Sequence, residues 1–446
     1  MTTFNRRDLL RAGGMGAAFS AFSAFAKASS PLRILQRCNP LAPQALTDPR
    51  LLTIFLRGGH DGVYTVVPVG DTSYPTARPT LQPATVALPG TTFASLNADY
   101  SELLPICNAG RAAFIHQAGN PTGARSHFVE MQIFEGGVTT APLRDDGVIA
   151  RLRANGAFGS SVGPVYGASI SQRMQQLYRG FVPAELMAHV SYLPNYTLGS
   201  APIANRQRDA LATHLSQTPS GPIEPFLDAV GEYVAATEAV IPIVPFAHDP
   251  INFPTTDVEA IAAGLPTGGT SGPGQSFLGY CEQALALLTS TTAGCQAVGI
   301  EMGAWDTHNN QAAERGPLDR YLAHGIRALY DQLAAAGVTN CVILVMSEFG
   351  RTAKENSNTG TDHGIGGLMM AFGPRVIGGV YNCRRNAGLG AQWVALNSAP
   401  NNAVPVATDF RLIYSELFTK LFSLSPTQLA NVLPGYTPGT FLGCFV

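Results

Sequence analysis

The chain has 446 residues, 46% of them apolar and only 13% charged, with 28 basic against 30 acidic side chains. A chain of this size and apolar content buries a substantial core, as one large domain or two, and its composition excludes intrinsic disorder. The near-neutral balance excludes the electrostatic footprint of a nucleic acid or an anionic membrane, so no nucleic-acid partner is expected; 47 glycines and 32 prolines point to many ordered turns instead of a helical bundle.

Residues 1–28 read as an address. Arg6 and Arg7 precede a Gly/Ala-rich apolar segment, Ala12 to Ala26, which is too short to span a bilayer comfortably and ends in small-x-small exits at Ala24-Phe25-Ala26 and Ala26-Lys27-Ala28. The pattern is similar to a twin-arginine export signal, which predicts engagement of the twin-arginine machinery and a periplasmic or secreted destination. Without Arg6, Arg7, Arg11, Lys27 and Asp8 the chain keeps 24 basic and 29 acidic residues, a net charge of -5. No later apolar run is long enough for a stable membrane span.

The first strand is expected over Leu51 to Leu56, closed by Arg57-Gly58-Gly59. A second apolar run, Ala112 to His116, leads into the turn Gly119-Asn120-Pro121-Thr122-Gly123, after which Ser126 is a candidate N-cap for a helix through Phe128, Met131, Ile133 and Phe134. Further on, a helix from about Phe277 to Leu288 precedes the strand Ala297 to Met302. From Pro317, apolar residues recur at helical spacing to Leu333, with Gly337 as a plausible C-cap before a strand from Cys341 to Met346. This alternation predicts an α/β fold with a largely parallel sheet covered on both faces. Between about 156 and 273 the pattern weakens into Pro, Gly, Ser and Thr clusters with short helices, including 224–239, and reads as a cap-like insertion in a single domain spanning 29–446.

Seven cysteines are scattered without a Cys-x-x-Cys pair, so thiolate metal binding is not expected and the odd count leaves at least one thiol unpaired. Acidic and histidine clusters instead follow the apolar runs: Gly58-Gly59-His60-Asp61-Gly62, Trp305-Asp306-Thr307-His308, Ser347-Glu348-Phe349-Gly350 and Asp362-His363-Gly364. At the carboxyl ends of strands such groups converge on one crevice. Asp306 and His308 alternate along an extended backbone and point the same way, Asp362 and His363 add a second pair, and Asp61 stands in a glycine-flanked turn. Aspartate with histidine suits zinc foremost, then manganese or iron; calcium, which wants oxygen ligands, fits least. Ser126, between Arg125 and His127 at a helix N-terminus, is a candidate nucleophile or anion cradle, His127 is a candidate catalytic residue beside it, and Arg57, Arg125 and Arg351 are candidate oxyanion partners.

Taken in order, Gly-Gly-His-Asp-Gly, Arg125-Ser126-His127-Phe128, Trp305-Asp306-Thr307-His308, Ser347-Glu348-Phe349-Gly350-Arg351-Thr352, Gly360-Thr361-Asp362-His363-Gly364 and the late Thr408-Asp409-Phe410-Arg411 resemble the DUF1501 family over nearly the whole chain. That family is grouped with the alkaline phosphatase and sulfatase superfamily. The resemblance implies an alkaline-phosphatase-like α/β/α sandwich, a first metal held by Asp306, His308 and His363, a second held by Asp61 and Glu348, and a nucleophilic Ser126 assisted by Arg125 or Arg351. The chain departs from the superfamily at Glu348-Phe349, where an Asp-His pair is usual, and at Asp306-x-His308, where the spacing is usually three.

Three functions follow as expectations. The leading one is an exported metal-dependent hydrolase acting on a small anionic phosphate or sulfate ester. The second is a degenerate relative that binds a metal or anionic ligand without turnover, in an envelope or secretion role. The third is a mononuclear-metal oxidoreductase; no dinucleotide glycine signature follows the first strand, and no Gly-x-Ser-x-Gly elbow marks an esterase.

Overall fold

The computed structural model describes residues 45–139, 146–157, 167–171, 175–180, 187–189, 248–291, 295–383 and 390–446. All belong to one compact unit, Leu41–Tyr196 with Ala236–Val446. The export signal and the helical stretch 224–239 lie outside the described residues.

The first strand, β1 (Arg50–Leu56), is buried along its whole length. In chain order there follow β2 (Ala112–Gly119), α1 (His127–Gly136), α2 (Val148–Ala154), β3 (Gly167–Ile170), β4 (Met187–His189), α3 (Ser271–Thr289), β5 (Ala297–Met302), α4 (Gln311–Ala335), β6 (Cys341–Ser347), β7 (Gly367–Phe372), β8 (Gly379–Tyr381), β9 (Thr408–Asp409), α5 (Phe410–Phe422) and α6 (Pro426–Val432). Among the described residues the main sheet runs β8-β2-β7-β6-β1-β5-β3-β4, with β9 also on β2. Every pairing is parallel except those of β7, which runs antiparallel between β2 and β6. The expected mostly parallel α/β sheet is thus observed.

Side-chain alternation divides the sheet into two faces. Leu52, Ile54 and Leu56 of β1 pack with Phe277, Leu278 and Cys281 of α3 and Leu318, Leu322 and Ile326 of α4. Leu51 and Phe55 turn the other way, onto Ile133 and Phe134 of α1, Leu152 of α2, Phe410 and Leu417 of α5, and Val432 of α6. Helices on both faces make the expected α/β/α sandwich.

Three local expectations change. Helix α4 starts at Gln311, so Pro317 lies inside it and not at its start. Strand β7 has no counterpart in the sequence reading, because Gly-Leu-Met-Met-Ala-Phe follows a glycine-rich loop without turn signals that separate strand from loop. Within 156–273, β3 pairs with β5 and β4 pairs with β3, so that part of the expected cap-like insertion extends the central sheet instead. Segments 181–186 and 190–247 lie outside the described residues. Six cysteines, Cys107, Cys281, Cys295, Cys341, Cys383 and Cys444, are buried and free. No helix among the described residues is long and apolar enough to cross a membrane.

Candidate metal centre

The carboxyl ends of β1, β2, β5 and β6 and the amino end of β7 meet at one edge of the sheet, and the acidic and histidine motifs leave the strands there. Close approach of the β1 turn to the β5 turn requires glycine: Gly58 has φ +125°, and a Cβ on it would stand 2.5 Å from the Asp306 amide nitrogen. Gly360 meets the same demand, where a Cβ would lie 2.2 Å from the His308 carbonyl oxygen.

His127, Asp306 and His363 each offer a ligand atom within 4.8 Å of the others. His127 Nε2 stands 3.0 Å from His363 Nε2 and 3.5 Å from Asp306 Oδ2, and His363 Nε2 is 3.1 Å from Asp306 Oδ1. Two tetrahedral ligands at about 2.0–2.1 Å from zinc stand about 3.3–3.4 Å apart, so the spacing is that of a shared cation. His308 Nε2 flanks the same edge, 3.1 Å from His363 Nε2 and 3.0 Å from Asp306 Oδ1.

The partners behind the rings decide what those nitrogens carry. His363 Nδ1 donates to the Arg125 carbonyl at 3.0 Å, His127 Nδ1 to Glu348 Oε1 at 2.7 Å, and His308 Nδ1 to Asp362 Oδ1 at 3.0 Å. A carbonyl or carboxylate only accepts, so each neutral ring keeps its lone pair on Nε2, and three Nε2 lone pairs crowd one carboxylate. Lone pairs cannot hydrogen-bond to one another; a cation among them turns repulsion into attraction. The carboxylate and carbonyl behind each ring are the outer-shell supports that metal-bound imidazoles require.

Charge follows the same logic. Burial raises the Glu348 carboxyl, but hydrogen bonds from His127, its own amide, Ser347 and Gly58 outweigh it and leave its pKa below the ordinary value. The hydrogen bond to Glu348 lifts His127 above an ordinary histidine despite partial burial. Asp306 is raised by burial and lowered more by the Arg351 guanidinium, whose Nη2 donates to Oδ1 at 2.6 Å. The His308 bond lowers Asp362. Asp306 remains exposed, so the donor set opens to solvent.

Several sequence-based roles move. Asp61, expected to ligate the second metal, is absent from the cluster. Its Oδ1 caps the single-turn helix Gly62–Thr65 through the Val63 and Tyr64 amides, and its Oδ2 accepts from Arg78 at 2.5 Å and Gln311 at 2.7 Å. Burial raises its carboxyl, but Arg78 and Arg315 outweigh that and hold it at about 2. Glu348 is also occupied: Oε1 takes Gly58 N and His127, and Oε2 takes Ser347 Oγ. Asp362 supports His308 from behind, and Asn356 Nδ2 donates to Asp362 at 3.1 Å and to the His308 carbonyl at 3.0 Å. Arg351, expected at an oxyanion, is buried and braces the carbonyls of Gly58, Gly59, Trp305 and Thr361. His127, expected to be catalytic, stands in the cluster with its Nε2 toward His363 and Asp306. Ser126 is the N-cap of α1 with no side-chain capping bond, while the Arg125 guanidinium donates to the Asn401 carbonyl. Sequence reasoning also missed Asn356, which nothing local marks, and Phe349, whose ring centroid lies 4.8 Å from those of both His127 and His363.

Beneath the β1 turn, His60 Nε2 meets Thr65 Oγ1 at 2.9 Å and Arg315 at 3.1 Å, and His116 Nε2 donates to the Val66 carbonyl at 2.9 Å. Burial keeps both uncharged, pushing His116 down to about 4 and His60 well below 6.5. In the unfolded chain both protonate near 6.5, so the unfolded state binds more protons and stability falls as pH drops below that value. Between pH 7 and 5 His116 is expected to lose about 2 kcal/mol of stability, and His60 acts in the same direction. Denaturant midpoints across that window check it: His116→Asn should lose about 2 kcal/mol less than wild type over the same range, and a profile identical to wild type would refute the assignment.

No curated protein sequence matches this chain. Among solved structures, that of Ps i-CgsB in complex with k-i-k-neocarrahexaose shares 10% identity, with 85% of this chain and 74% of that chain covered and a TM-score of 0.33. The alkaline phosphatase from the Antarctic bacterium TAB5 shares 11% identity, with 75% and 95% covered and a TM-score of 0.29. The fold assignment rests on the sheet order above. The family described as "Protein of unknown function (DUF1501)" matches residues 257–386, the segment that carries α3, β5, α4, β6, β7 and three of the four clustered side chains, Asp306, His308 and His363.

Proposed function

We propose that the chain is an exported hydrolase of small phosphate or sulfate esters that works with one divalent cation, zinc foremost, held by His127, Asp306 and His363 with His308 beside them. The observation that supports this most is the convergence of three imidazole lone pairs on one carboxylate, each ring held from behind. Three protein donors opening to solvent are the arrangement of a catalytic cation, whereas structural zinc is closed off by four. The occupied carboxylates of Asp61 and Glu348 favour one cation over two.

A cation so held supplies Lewis acidity, drawing charge from an ester oxygen and lowering the pKa of a coordinating hydroxyl. Glu348, Asp362 and the Arg125 carbonyl hold the ring protons on Nδ1, and Arg351 holds the Asp306 carboxylate. The Ser126 hydroxyl, one residue from His127 and free of capping duty, is the nucleophile of this reading. The first turn of α1 has N–H groups without helical partners, which favour the anionic head of the substrate.

Elemental analysis and turnover on phosphomonoester, phosphodiester and sulfate ester panels test the proposal together. Ser126→Ala should keep one metal per chain and lose at least about a hundredfold in turnover. Undiminished turnover would move the nucleophile to water. A chain that binds its metal but is inert on every panel would instead be the degenerate binding protein, and the two occupied carboxylates already lean toward that second reading.

A further inference from the structure

We propose that Glu130 is a positioning residue for the metal centre, acting through the loop that holds His363; this rests on the metal reading above. Glu130 lies one helical turn beyond His127 on α1 and is 1% exposed. Its carboxylate reaches back to the loop before the helix: Oε1 accepts from the Ala124 amide at 2.5 Å and Asn120 Nδ2 at 3.1 Å, and Oε2 from the same Nδ2 at 3.1 Å. Asn120 Oδ1 in turn accepts from the Thr122 amide and hydroxyl at 3.1 and 3.0 Å. Among the described residues Glu130 has no cationic partner, and a buried acid without one costs stability unless hydrogen bonds compensate it.

The next residue after Ala124 shows what the strut holds. Arg125 sits at φ +52°, a left-handed conformation that a residue with a side chain keeps only when its surroundings enforce it. In that conformation its carbonyl accepts the Nδ1 proton of His363. One turn of α1 therefore carries a metal donor, His127, and the brace for the loop that sets the ring of a second, His363. Removing the brace frees the Ala124 amide, relaxes Arg125 and leaves the His363 ring without its orienting acceptor, while no side chain of the cluster is itself removed.

Cobalt(II) titration of the full chain, followed by visible absorption, tests this alongside the melting temperature. Wild type should bind one cobalt per chain. Glu130→Ala should bind at least about tenfold more weakly with a shifted band, as loss of an outer-shell partner typically does. Glu130→Gln keeps an oxygen for the Ala124 amide and should stay within about threefold of wild type by the same scale. Ile133→Ala, which empties a core position on the same helix, should lower the melting temperature and bind as wild type does. If Glu130→Ala does not fold, Asn120→Ala removes the other end of the strut and should show the same loss. Equal affinity in Glu130→Ala and wild type, or equal weakening in Ile133→Ala, overturns the positioning role alone. A wild type that takes up no cobalt overturns the metal reading, and this proposal with it.

Discussion

His363→Ala is expected to leave the purified chain almost free of divalent metal while the sandwich remains folded. His363 is the one residue whose nitrogen touches every other donor, at 3.0 Å from His127, 3.1 Å from His308 and 3.1 Å from Asp306. Binding energies of roughly 10–16 kcal/mol spread over four ligands in structural zinc sites give roughly 3 kcal/mol per ligand, a loss of roughly a hundred- to a thousandfold in affinity. The ring is partly exposed and lies outside both hydrophobic cores, so the melting temperature without metal should change little. Elemental analysis after dialysis, with a competition titration, reads the result. Retention of one metal per chain in His363→Ala would sink the assignment, because His127, Asp306 and His308 would then hold the cation without the ring that links them.

Asp61→Ala should show the opposite pattern: a large loss of stability with metal content unchanged. Its carboxylate is buried, receives a 2.5 Å bond from a fully buried Arg78 and another from Gln311, and caps a helical turn. Truncation leaves the Arg78 guanidinium inside the protein with only the carbonyls of Ala353 and Thr352 to meet it, and removes an anion that offsets Arg315. Breaking a buried pair from one side costs about 3–5 kcal/mol. Denaturant unfolding measures that loss, and metal analysis of the folded fraction separates it from ligation. A stable variant with its metal gone would restore Asp61 to the ligand role that the family resemblance implies.

The two variants mark where local reading reached its limit. Asp61 and His363 look alike in sequence, each beside a histidine or aspartate in a glycine-flanked turn after a strand. Asp61 is claimed by an arginine 17 residues away and a glutamine 250 away, whereas His363 is turned toward the cluster by a carbonyl 238 residues away. Glu348 and Asp362 were likewise legible as site residues but not as supports, since each stands behind a ring that arrives from a distant strand or loop.

By itself the sequence determined the strands β1, β2, β5 and β6, the helices α1, α3 and α4, and the parallel sandwich that follows from their alternation, because hydrophobic periodicity records which face each residue buries against near neighbours. It also determined the residue types of the site and the strand ends that carry them. Only the tertiary structure decided the antiparallel β7, the entry of part of 156–273 into the sheet, and the placement of one carboxylate among the histidines, two behind their rings and one in a buried ion pair. The physical reason is that a carboxylate or imidazole takes its role from whichever partner satisfies it, and here those partners are brought within hydrogen-bond reach only when the strand ends meet.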